Sequence, residues 1–127
     1  MGSDFKSVTT SNDTISKLVH EVVIVGDAGN ADDPKSKNLL STIDTYLKNN
    51  TNATTLLFIG DNIYPLGMPD ADSNERKLAE EKLNHQLDLS RSVNGKTVFL
   101  AGNHDWYNGL DGLIAQKDYV EGVLGKK

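Results

Sequence analysis

The chain has 127 residues, no cysteine, 24% charged residues and a net charge of −5. A single domain is the expectation at this length, and the lack of cysteine excludes disulfides, thiolate metal sites and cysteine nucleophiles. The acidic balance argues against general nucleic-acid binding, which draws on counterion release by basic side chains, and no apolar run approaches the roughly 18 residues a membrane span requires.

Residues 1–19 are polar, rich in Ser, Thr, Asp and Lys, and predict a flexible segment ahead of a folded part at 20–127. They lack the apolar core of a signal peptide, so a parent protein that is exported or held at the cell envelope has shed its signal here.

Three short apolar runs follow: Val22-Val23-Ile24-Val25, Leu56-Leu57-Phe58-Ile59 and Val98-Phe99-Leu100-Ala101. Each is nearly continuous, the pattern of parallel strands covered on both faces. Helical patterns fill the gaps. Asp33-Pro34 reads as an N-cap with proline in the first turn, and Leu39, Leu40, Ile43 and Leu47 fall on one face after it. Asp72 and Glu75 have capping-box spacing ahead of a stripe at Ala79, Leu83 and Leu87. The mixed charges from Glu75 to Lys82 read as an exposed helix face. Asn108 can cap a third helix carrying Leu110, Leu113, Ile114, Val120 and Leu124, with Gly125 at its end. The predicted fold is therefore α/β, a βαβαβα unit of parallel strands and crossover helices.

In such sheets ligands sit beyond the carboxyl ends of the strands. Each run here ends in glycine and then polar residues: Gly26-Asp27-Ala28-Gly29, Gly60-Asp61-Asn62-Ile63-Tyr64 and Gly102-Asn103-His104-Asp105. Asp27 and Asp61 offer carboxylates, Asn103 a neutral oxygen and Tyr64 a phenolate, a donor set suited to iron, manganese or zinc. A carboxylate shared by two ions suits phosphoryl transfer. Taken singly, each Gly-Asp also fits a turn or helix cap, and Tyr64 beside Pro65 also fits a packed loop aromatic. Gly102-Asn103-His104-Asp105 directly after an apolar run has no common structural explanation. Trp106 and Tyr107 either line a substrate mouth or cover the core. His20, ahead of the first run, and His85, mid-helix, read as ordinary solvated histidines. A nucleotide-binding βαβ reading lacks the Gly-x-Gly-x-x-Gly fingerprint.

The ordered set of loops resembles the calcineurin-like metallophosphoesterases, over about Val22 to Leu124. Most of that family has Asp-x-His first, whereas Gly29 stands in the third place here. That departure, and a tyrosine three residues after the second Asp, are similar to the purple acid phosphatase branch. The resemblance implies that Asp27 and Tyr64 bind a first metal, ferric in that branch. Asp61 would bridge two metals, Asn103 would bind the second, His104 would contact the phosphate or protonate the leaving oxygen, and Asp105 would orient His104. A metal-bound hydroxide would hydrolyse a phosphate monoester. The family's later histidine motifs do not occur in this chain, so it is expected to be the N-terminal half of the αββα sandwich, a partial domain at 20–127 with one weak metal or none and little turnover. The alternative is a non-catalytic fragment that binds metal or phosphate, assembles with a complementary half, or forms a homo-oligomer through an exposed sheet edge or face.

Overall fold

The computed structural model describes residues 18–30 and 32–125. Apart from Leu18 and Val19, the segment expected to be flexible (1–19) lies outside the described residues.

Strands β1 (Glu21–Val25), β2 (Thr54–Phe58) and β3 (Gly95–Phe99) form one parallel sheet in the order β1-β2-β3. Val23 pairs with Leu56 and Leu56 with Thr97, so the three strands end level with one another. Helices α1 (Pro34–Lys48), α2 (Arg76–Leu87) and α3 (Gly109–Leu124) follow the strands in turn. The alternation of strands and helices is the predicted one. The last two strands begin a few residues before their apolar runs, because backbone pairing with β2 carries through Thr54 and Gly95, where the side chains are not apolar.

Crossovers of one hand in a sheet of consecutive order place both linking helices on the same face, and burial agrees. Val25, Leu56 and Phe58 are buried with Leu40, Ile43 and Leu47 of α1 and Leu89 of a 3-10 turn, and Phe99 stacks on Phe58 at 4.5 Å. A second cluster joins Ala79, Leu83 and Leu87 of α2 to Val120 of α3 and to Ile63 and Met68 of the loop after β2. Among the described residues nothing covers the opposite face of the sheet: Val22 is 53% exposed, Ile24 61% and Val98 38%. The expectation of strands covered on both faces is corrected here, since all three helices serve one side.

Two further expectations need correction. α2 begins at Arg76, with Glu75 itself as N-cap and no side-chain cap bond, so Asp72 and Glu75 form no capping box. Asp70 to Ser73 makes a separate turn instead. Lys82, read as exposed, is 5% exposed, and the stripe of α2 that faces inward is Ala79, Lys82, Leu83, Gln86 and Leu87. α3 ends at Gly125 as expected, with φ at 79°.

Candidate metal centre

Of the three loops leaving the carboxyl ends of the strands, the first and second are fastened to each other by their backbones. Asp27 N–H donates to Gly60 O (3.2 Å), Gly29 N–H to Asp61 O (3.0 Å) and Tyr64 N–H to Gly29 O (3.2 Å). This approach requires glycine at position 29, where a Cβ would meet the Asn62–Ile63 peptide at 2.3 to 2.5 Å. Gly102 is similarly confined, because its Cβ would lie 2.3 Å from Asp61 Oδ1.

Within this frame Asp27 and Asp61 adopt left-handed backbone conformations, with φ of 55° and 54°. Such conformations cost energy in a residue with a Cβ and cluster where function demands them. They bring both carboxylates to one phenol: Tyr64 Oη donates to Asp27 Oδ1 (2.7 Å) and meets Asp61 Oδ2 at 3.1 Å. The bond to Asp27, then burial, then the bond to Asp61 raise the phenol's pKa well above its ordinary value. Three oxygens from two loops thus converge around one proton, in the arrangement a cation would replace.

The third loop adds to the cluster. His104 N–H donates to Asp61 Oδ1 (3.0 Å), and the His104 ring lies 4.4 Å from that of Tyr64. Its Nδ1 lies 2.7 Å from the Pro65 carbonyl oxygen. That oxygen only accepts, so Nδ1 carries a proton and Nε2 is the nitrogen left for exchange. Asn103 is exposed on the same loop; its Nδ2 donates to Tyr107 Oη (3.1 Å), and it makes no hydrogen bond to the two carboxylates. The ring of Tyr107 stands edge-on to His104 at 4.9 Å. Trp106 and Tyr107 are half exposed beside the cluster, so they do not cover the core.

Asp105 differs from its implied role. It is fully buried, and its carboxylate accepts from Gly102 N–H (2.8 Å), Asn62 N–H (3.0 Å), Ile63 N–H (3.1 Å) and Asn62 Nδ2 (3.2 Å). None of its bonds goes to the His104 ring, which is oriented instead by Pro65 O. Asp105 is the tie between the second and third loops. The two other histidines lie elsewhere: His20 bonds Thr55 Oγ1 near the start of the sheet, and His85 is exposed on α2.

Sequence reasoning missed three buried polar residues, Asn62 within the second loop and Lys82 and Gln86 beneath it on α2. Gln86 Nε2 donates to Asn62 O (2.8 Å) and Lys82 Nζ to Tyr64 O (2.6 Å). The signal was present in their spacing, since 79, 82, 83, 86 and 87 fall on one helical stripe. No group of three or more His, Asp or Glu able to hold a metal occurs among the described residues; the convergent oxygens here come from two carboxylates and a phenol. A concavity of about 270 Å³ lies apart from them, between β3 and α3, lined by Val98, Leu113, Gln116 and Val120.

A parallel α/β unit with an acidic oxygen cluster at the carboxyl ends of its strands is the class these observations define. A family model described as calcineurin-like phosphoesterase matches residues 20–125, and the chain belongs to that family. Comparison with curated proteins and with solved structures found no match.

Proposed function

We propose that this chain carries the first ligands of a two-metal phosphomonoesterase of the purple acid phosphatase branch, as the N-terminal part of its domain. The observation that carries the reading is the convergence of Asp27, Asp61 and Tyr64 on one point. Two carboxylates and a phenol fit a hard or borderline cation such as iron, manganese or zinc. Asp27, Asp61 and Tyr64 would hold the first ion, and Asp61 with Asn103 the second. Ions held there would supply Lewis-acid polarisation of the phosphate oxygens and of the attacking water.

The chain's own residues supply the rest. Asp61 is fixed by His104 N–H, so a shared carboxylate keeps one orientation. Tyr107 takes the Asn103 amide hydrogen and leaves the amide oxygen for a metal. His104, anchored through Nδ1, offers Nε2 to the phosphate or to the leaving oxygen. Trp106 and Tyr107 flank the mouth where the organic part of the ester lies. Three donors for one ion and two for the other are fewer than the four of a closed tetrahedral site, so turnover by this chain alone is slow and a complementary segment completes the ligands.

Elemental analysis of the purified chain, run with hydrolysis of p-nitrophenyl phosphate on the same sample, tests the reading. Asp61→Asn is expected to remove bound metal and any turnover together. Turnover that survives this substitution would sink the assigned mechanism.

A second reading, an assembly unit without catalysis of its own, is favoured by the bare sheet face with Val22, Ile24 and Val98. An apolar face of this kind calls for a partner, either a complementary half or a second copy. Sedimentation that gives only monomer at all concentrations would count against the second copy.

A further inference from the structure

The loop from Asp61 to Pro65 holds two of the groups the proposed metal site depends on, Asp61 and Tyr64, and all five of its carbonyls are occupied. Asp61 O accepts from Gly29 N–H and Ile63 O from Gly67 N–H, both within the loop layer. Asn62 O accepts from Gln86 Nε2, Pro65 O from His104 Nδ1, and Tyr64 O from Lys82 Nζ at 2.6 Å. Its amides at Asn62 and Ile63 go to Asp105. Of the two peptides that flank Tyr64, the one before it is held by Gly29 O and Gly67 N–H, and the one after it by Lys82 Nζ alone.

Lys82 is the unusual member of this set. It is 5% exposed, and none of the ion pairs among the described residues includes it. Burying an ammonium without a carboxylate partner is unfavourable, because the charge loses its hydration. A helix that only had to fill space at this position would do better with leucine or methionine. The cost is accounted for if the ammonium meets a demand a neutral group meets less well: a strong, charge-assisted bond to one carbonyl, one tyrosine's length below two carboxylates.

We propose that Lys82 is a positioning residue: by holding the Tyr64 carbonyl it keeps the Tyr64 phenol between Asp27 and Asp61. The proposal rests on the reading of these three residues as metal ligands only for its functional consequence, because the position of Tyr64 can be measured without metal. Lys82→Met keeps the length and apolar stem of the side chain and removes the donor and the charge. In the metal-free chain, the magnetisation transfer between the Tyr64 and His104 rings, 4.4 Å apart, is the readout. It is expected to be present in the parent protein, lost in Lys82→Met and recovered in Lys82→Arg. Calorimetric titration with zinc alone is expected to weaken by about tenfold to a hundredfold in Lys82→Met, the usual loss when a group that orients a ligand is removed. Lys82→Arg is expected to bind zinc nearly as the parent does.

If Lys82→Met does not fold, Lys82→Gln, which keeps an N–H donor without the charge, is read by the same two measurements and is expected to fall between the parent and complete loss. Unchanged ring contact in the folded variant overturns the proposal, even if its melting temperature falls. Loss of the ring contact in a chain that binds no zinc upholds the positioning of Tyr64 and means that metal binding awaits the complementary segment.

Discussion

Asp105→Asn gives a sharp test of how the site is held together. The substitution keeps the volume and one oxygen and replaces the other with an amide that can only donate. In the parent protein one oxygen serves Gly102 N–H and Asn62 Nδ2, the other serves Ile63 N–H, and Asn62 N–H reaches both. Whichever way the new amide turns, at least one buried N–H is left facing another donor. The gentlest arrangement sacrifices Ile63 N–H alone. An orphaned buried donor costs about 1–3 kcal/mol, and the remaining bonds lose their charge assistance. About 3 kcal/mol is therefore expected, a large share of the roughly 5–15 kcal/mol that holds a small domain. Urea unfolding, followed by tyrosine and tryptophan fluorescence, would register this as a lower midpoint at unchanged slope, with a melting temperature lower by about 15 °C. Asp111→Asn, on the exposed first turn of α3, is the control and should stay within about 0.5 kcal/mol of the parent. A loss below about 1 kcal/mol in Asp105→Asn would refute the reasoning. It would return Asp105 to the role of orienting His104 that the family resemblance implies.

Gly29→Ala should destabilise the chain by about 1–3 kcal/mol or more, because the added methyl meets backbone rather than a side chain that can swing away; a melting temperature within error of the parent would contradict this. Ile24→Lys, on the bare sheet face, should leave the unfolding free energy in urea within about 0.5 kcal/mol of the parent while reducing any self-association seen by sedimentation, and association that persists would assign it to another surface. Asp44 accepts from Lys48 Nζ (2.5 Å) and Ser92 Oγ (2.7 Å), and the Lys48 bond, followed by the Ser92 bond, lowers its pKa. A carboxyl depressed in the folded state stabilises above its unfolded pKa, and that contribution is lost as pH falls through the folded value. The deficit of Asp44→Asn against the parent should therefore be present near neutrality and shrink below about pH 4; a deficit independent of pH would refute the assignment.

Much of this was legible in the residues. The three apolar runs, each closed by glycine and a ligand-type residue, were enough to place Asp27, Asp61 and His104 at one end of a parallel sheet, since strand direction and the βα loop follow from local pattern. What could not be read were partnerships across long separations. Asp105 sits in a run of polar loop residues, and only the fold shows that its carboxylate meets Asn62, 43 positions away. Lys82 and Gln86 are charged and polar letters in a charged stretch, so composition argued for solvent, while their spacing argued for the interior. Spacing won because the loop above them had carbonyls that needed donors. The bare sheet face eluded the pattern for a simpler reason. A continuous apolar run states that both faces avoid water, not that this chain supplies both covers.

The left-handed backbone at Asp27 and Asp61 has a consequence for how such a site persists. Among residues with a Cβ, asparagine and aspartate tolerate this conformation best. In the metal-free fold asparagine at position 61 could still accept from His104 N–H, and its amide could donate to the Tyr64 hydroxyl, with one fewer negative charge crowded against Asp27. The folded chain by itself has no reason to prefer the acid, and drift toward the amide would carry little or no folding cost. Retention of both acids among relatives would then point to selection by a bound ion rather than by the fold. A lineage freed from that demand should lose the aspartates before it loses Gly29, Gly102 or the buried Asp105, leaving a shell that keeps its shape after its chemistry has gone.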